Sequence, residues 1–163
     1  MEKKLLMTQQ GYTKIANDLS RLINEERPSV IEALKESRTY GGELSENAEY
    51  LEAKDRQDAV EKKIVELQTK MEQAKIVNLA DIADDGVARF GTVVTLVDLD
   101  DESEKEIKYQ LVGEDEAVVK DGRISYKSPL GAAVLNKKIG DIVYFRTPSG
   151  ERELEIINIK LPK

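Results

Sequence analysis

The sequence predicts an α+β protein in two parts, a long antiparallel helical hairpin followed by a small strand-rich domain. Three observations carry this. Ala53, Gln57, Val60, Ile64, Leu67, Met71 and Ala74 fall at alternating steps of four and three, the a/d seam of a coiled coil. Gly41-Gly42 interrupts the helical pattern just ahead of that seam. After Ile76 the period changes to short β-rich runs separated by turns.

The first arm starts at Thr8, a good N-cap, and carries Tyr12, Ile15, Leu19 and Leu22, then Val30, Ile31 and Leu34, at helical spacing. Pro28 cannot donate a backbone hydrogen bond, so a kink is expected between Glu25 and Pro28. The arm should end near Tyr40. Ser45 is read as the N-cap of the second arm, which at ~1.5 Å per residue runs roughly 43 Å from Glu46 to Ala74. So short a link forces the arms antiparallel. The seam itself is read as hairpin packing and nothing more.

The division is therefore 1–76 for the hairpin, with its tip at 41–47, then 77–86 as a linker and 87–163 as a globular domain. Strands are expected at Val87–Leu99, Glu106–Val112, Ala117–Tyr126, Asp141–Thr147 and Glu151–Ile159. Pro129–Leu135, apolar with small residues, is expected to form a helical turn or two between strands.

Composition narrows the chemistry. The 163-residue chain contains no His and no Cys, which removes thiolate catalysis, disulfides, zinc-thiolate sites and the commonest general base. Oxygen-ligand chemistry remains, of the kind that suits Mg²⁺ or Mn²⁺. A net charge of -7 gives little general attraction to nucleic acid, so any such contact should use a few placed Arg or Lys. No apolar run approaches the roughly 18 residues of a membrane span, and the start is too short in apolar residues for a secretion signal. A cytosolic protein without membrane contact is expected.

Glu43 and Glu46 lie three apart across the start of the second arm, at a turn that cannot bury them. Their carboxylates can converge on a metal that a partner also holds. Acidic residues are also favoured in a first helical turn by the dipole, and spacing alone does not choose between these readings. Glu49 and Glu52 read as solvated face. Helical salt bridging accounts for Lys54 and Arg56. Arg38 ends an arm beside the turn and is less easily explained in that way.

Three stretches resemble a known family. They are Thr8-x-x-Gly11-x-x-x-Ile15-x-x-Asp18-Leu19-x-x-Leu22 with Arg27-Pro28 following, then Gly42-Glu43-Leu44-Ser45-Glu46-Asn47-Ala48-Glu49-Tyr50. The third is Ser125-x-x-Ser128-Pro129-Leu130-Gly131-Ala132-Ala133-Val134-Leu135 with Gly140-Asp141 beyond. In this order, over nearly the whole chain, they resemble the bacterial Gre transcript-cleavage factors, within them the GreA branch.

The resemblance implies an N-terminal antiparallel coiled coil and a C-terminal FKBP-like α+β domain that docks on bacterial RNA polymerase. It implies a transcription elongation factor that enters the secondary channel and stimulates the polymerase's own cleavage of backtracked RNA. The factor would be an accessory and not itself an enzyme, and a monomer. Glu43 and Glu46 fall on the family's two tip acids, which help hold a second Mg²⁺ jointly with the polymerase. Arg38 and Lys54 fall on basic positions that meet the nascent RNA 3′ end. Ser128, Pro129, Leu130 and Gly131 fall on a signature that serves docking or structure.

The chain departs from the family pattern in three places. The first acid is Glu43 where Asp is usual, the doubled Gly41-Gly42 adds a residue after Arg38, and Ser45 stands at a basic position. These leave a second reading, a non-cleaving channel occupant that modulates or inhibits polymerase, to be separated from the first by a cleavage assay. A peptidyl-prolyl isomerase would need an aromatic-lined pocket, and after the linker the chain offers only Phe90, Tyr109, Tyr126, Tyr144 and Phe145. A plain coiled-coil adaptor leaves the tip and the globular signature unexplained.

Overall fold

The computed structural model describes residues 4–39 and 47–162. The chain divides into two compact units, Tyr12–Ala74 and Lys4–Gly11 together with Lys75–Lys163. Lys4–Gly11, read from sequence as the start of the hairpin, thus packs with the second unit.

The first unit is the hairpin. Helix α1 (Gln9–Arg21) runs through a π-helical turn, Leu22–Glu26, into α2 (Arg27–Arg38), and α3 (Ala48–Gln73) returns. The expected kink is therefore a π turn lying just upstream of Pro28. Its signature is the Arg27 N–H, which reaches back five residues to the Leu22 carbonyl.

The seam explains why the turn is there. Ile15, Leu22, Val30, Leu34 and Ser37 are all buried. The step from Leu22 to Val30 is eight residues where a heptad would give seven. A π turn takes up the extra residue and returns Val30 to the seam. Pro28, which has no N–H to give to the preceding turn, makes the wider turn less costly. Ile31 falls off the seam and is exposed, contrary to its sequence reading.

On α3, Ala53, Ile64 and Leu67 are buried and Gln57, Val60 and Met71 are half-buried, as is Ala74 just past its end, so the expected seam is the observed one. The 26 residues of α3 span about 39 Å. Arg27 crosses to α3 with two parallel hydrogen bonds of 2.8 Å, Nε and Nη2 to the Glu61 carboxylate. That fork fixes the register of the arms at the level of the π turn.

In the second unit, β1 (Leu5–Met7) pairs with β2 (Ala74–Ile76). The main sheet contains β3 (Val93–Asp98), β4 (Glu106–Val112), β5 (Arg123–Ser125), β6 (Ile142–Thr147) and β7 (Gly150–Lys160). Its spatial order is β5-β4-β3-β7-β6, antiparallel except for the parallel β4–β5 pair. Short helix α4 (Pro129–Val134) packs against β5 and β6. One face of the sheet forms the core, with Val94, Leu96, Leu111, Ile124, Leu154 and Ile156 all buried.

Two expected strands are shorter than read. Val87–Thr92 is not strand, because the Arg89 carbonyl accepts from Thr92 N–H at 3.0 Å and Thr92 Oγ1 accepts from Arg89 N–H at 3.0 Å, closing a turn around Phe90 and Gly91. Ala117–Tyr126 yields strand only at its end, since Val119–Asp121 forms a 3₁₀ turn.

The register argument is testable by deletion. Removing exposed Asn24 in a Pro28→Ala background should let the first arm run as plain α-helix with its seam intact, at a cost within about 1 kcal/mol. Removing Asp58 from unbroken α3 should turn the downstream seam by about 100° and cost at least about 3 kcal/mol. Equal losses in thermal unfolding would contradict the role given to the π turn.

Candidate functional site

The sequence places the candidate site between the arms, and the described residues define its base. Glu43 and Glu46, with Gly41, Gly42 and Ser45, lie outside those residues. Helix α2 ends at Arg38 and Thr39 caps it, with Thr39 N–H donating to the Glu36 carbonyl at 3.1 Å. The N-cap of α3 is Asn47, not Ser45. Asn47 Oδ1 accepts from Tyr50 N–H at 3.1 Å, and Asn47 Nδ2 donates to the Ser37 carbonyl at 2.9 Å. Asn47 thus both starts α3 and ties it to α2.

Ser37 is buried in the seam and its hydroxyl donates to the Leu34 carbonyl at 2.8 Å. Beside it the Arg38 guanidinium carbon lies 5.6 Å from the centre of the Tyr50 ring. Arg38 and Lys54 are both exposed. Lys54 Nζ donates to Gln57 Oε1 at 3.1 Å and lies 3.7 Å from Asp58, the helical pairing read from the sequence. Glu49 and Glu52 are exposed, as solvated-face residues should be. The adjoining groove, about 230 Å³ and lined by Glu36, Ser37, Glu49, Glu52 and Arg56 among others, is open and polar, unlike a pocket that buries a small ligand.

The globular signature has a clear structural task. Ser128 Oγ accepts from Gly131 N–H at 3.1 Å, capping α4, and donates to the Ser125 carbonyl at 2.6 Å. Pro129 takes a first-turn position, where its missing N–H costs nothing. Leu130 packs on the core. Gly131 is buried so close to β5 that a Cβ would overlap the Ser125 carbonyl oxygen. These four residues seat α4 against β5.

A second cluster went unseen in the sequence. The Glu116 carboxylate accepts from the Thr8 hydroxyl, from Thr8 N–H at 3.3 Å and from Gly113 N–H at 3.1 Å. The Thr8 hydroxyl in turn accepts from Gly11 N–H at 3.2 Å, the N-cap expected from sequence. A Cβ at Gly11 would meet the Glu116 side chain in its present position. Tyr126 adds a further tie, its hydroxyl accepting from Leu6 N–H at 3.1 Å. Thr8 and Glu116 are 108 residues apart, and no local pattern links them.

The aromatic side chains do not build a pocket among the described residues. Phe90 and Tyr126 pack edge to face at 5.6 Å, Tyr109 and Phe145 lie on the core, and Tyr144 is exposed. No helix among the described residues is long and apolar enough to cross a membrane.

Two family descriptions match, "Transcription elongation factor, N-terminal" over residues 5–76 and "Transcription elongation factor, GreA/GreB, C-term" over residues 83–161. The class defined by the hairpin, the sheet unit and these matches is that of the transcription elongation factors. A curated relative from Trichlorobacter lovleyi, named transcription elongation factor GreA, is 46% identical over 98% of this chain and 99% of its own. One from Pelobacter propionicus with the same name is 45% identical over the same shares. A solved structure titled as that of the transcription factor Gfh1 is 27% identical over 98% of this chain and 99% of its own, with a TM-score of 0.47. The chain belongs to the GreA/GreB family of transcription elongation factors.

The Glu116 cluster gives a stability prediction. Glu116→Ala leaves the Thr8 and Gly113 N–H groups without their acceptor and should cost about 1–3 kcal/mol. Glu116→Gln, which keeps one carbonyl acceptor, should lose less. Gly131→Ala should cost about 1–3 kcal/mol by forcing α4 off β5. Chemical denaturation of the three variants checks the order, and a fully stable Glu116→Ala would contradict it.

Proposed function

We propose that this chain enters the secondary channel of bacterial RNA polymerase and stimulates the polymerase's own cleavage of backtracked RNA. The observation that supports this reading is family membership over both halves, joined to a hairpin whose arms are tied together immediately before and after residues 40–46. The sheet unit docks on the polymerase and the hairpin reaches its active centre. The polymerase is the nuclease, and the chain is an accessory that completes its site. It works as a monomer in the bacterial cytoplasm.

The donors fit a Mg²⁺ by kind. With no His or Cys in the chain, carboxylate oxygen is what it can lend. Mg²⁺ is commonly held by one or two protein carboxylates with waters and phosphates completing its shell, which suits an ion shared with the partner. Glu43 and Glu46 would be its ligands from this chain. When bound, such an ion lowers the pKa of a coordinated water and stabilises charge on the reacting oxygens. Arg38 and Lys54 carry the positive charge that meets phosphates at the RNA 3′ end, and they do so locally on an acidic protein.

Glu43→Ala and Glu46→Ala should each slow cleavage in a backtracked complex by at least about 100-fold while leaving polymerase binding nearly intact. Melting temperatures should barely move. Cleavage within a few-fold of the parent in both variants would remove the metal-lending role. Glu43 in place of the usual Asp and the doubled Gly41-Gly42 favour a second reading. If the parent binds polymerase and cleaves nothing, the chain is a channel occupant that modulates the enzyme without cleavage.

A further inference from the structure

We infer that Tyr50 is a positioning residue that holds the Arg38 guanidinium ready for a phosphate of the RNA end. This deepens, and rests on, the reading in which Arg38 meets nascent RNA. Arg38 is the last residue of α2 and is exposed, so its long side chain has many rotamers to lose when it binds. The Tyr50 ring lies 5.6 Å from the guanidinium carbon. A guanidinium held over an aromatic face by a cation–π contact keeps N–H donors free for a bidentate phosphate.

The ring is itself held in place. The Tyr50 N–H is taken by Asn47 Oδ1 at 3.1 Å, which fixes the first turn of α3. Asn47 Nδ2 reaches the Ser37 carbonyl at 2.9 Å, which sets α3 against the residue preceding Arg38. Ser37 is buried and anchored to Leu34, so this side of the clasp does not drift. The chain from Ser37 through Asn47 to Tyr50 therefore delivers an aromatic face to Arg38, the last residue of α2. Lysine at position 38 has no planar edge to stack and donate at once.

The test is a double-mutant cycle on the full chain, read as the cleavage rate in a backtracked complex at saturating factor. Tyr50→Phe keeps the ring and should stay within about two-fold of the parent. Tyr50→Leu should be slower by roughly three- to five-fold, the effect of one exposed cation–π contact. In an Arg38→Ala background, Tyr50→Leu should change nothing further. Equal losses with and without Arg38 would show that Tyr50 acts through the hairpin alone and would overturn the inference. So would a full rate in Tyr50→Leu. Proton NMR of the free protein reads the pose directly, as an upfield ring-current shift of the Arg38 side-chain signals that Tyr50→Leu abolishes. No such shift in the parent overturns the inference whatever the cleavage data show. A parent that binds polymerase without cleaving overturns the functional reading first, and this inference with it.

Discussion

In the first arm Leu22 and Val30 both have to lie in the hairpin seam, yet they are eight residues apart. Nothing else about the rod works unless that mismatch is absorbed. Carried through as plain α-helix, the extra residue would rotate every later seam position by about 100° and present Val30, Leu34 and Ser37 to water. The π turn at Leu22–Glu26 absorbs it, and Pro28 follows where its missing donor does least harm. The Arg27–Glu61 fork then locks the arms in register at that level. From there the seam delivers Ser37 and Asn47 to each other at 2.9 Å, which closes the base of the tip.

The second unit applies the same logic with different parts. Its weak points are short segments at the margins of its sheets, and buried or half-buried side chains pin each one. Ser128 and Gly131 seat a six-residue helix, too short to stand by itself, on the end of β5. Glu116 gathers Thr8 and Gly113, and Tyr126 takes the Leu6 N–H, so residues 6–8 are held by side chains from far along the sequence. A carboxylate accepting several N–H and O–H donors suits that role because each donor would otherwise be left short of a partner.

Periodicity made the larger features legible in the sequence. The α3 seam was readable because Ala53 to Ala74 repeats without interruption, and Thr8 was readable as a cap because capping is local. The first arm was only half readable. Pro28 announced a break, but the type of break and the exposure of Ile31 depend on where the partner helix lies. Val87–Thr92 has strand-like composition and forms a turn, closed by the bonds between Thr92 and Arg89. Ser45 and Asn47 are both good caps on local grounds, and the choice of Asn47 comes from its second bond, to Ser37, across the hairpin. The tie from Glu116 to Thr8 could not be found at all, since the two are 108 residues apart. The roles of Glu43 and Glu46 came from resemblance, as two carboxylates three apart at a helix start fit a metal and a dipole equally well.

At the centre of the account is a chain that lends oxygen ligands to a metal held by another protein. The most direct measurement is the Mg²⁺ dependence of RNA cleavage in a stalled, backtracked polymerase complex, with and without the protein. The account predicts that the protein lowers the half-saturating Mg²⁺ concentration as well as raising the rate, and that removing both Glu43 and Glu46 carboxylates restores the polymerase's own metal dependence. A higher rate with an unchanged Mg²⁺ dependence would contradict it.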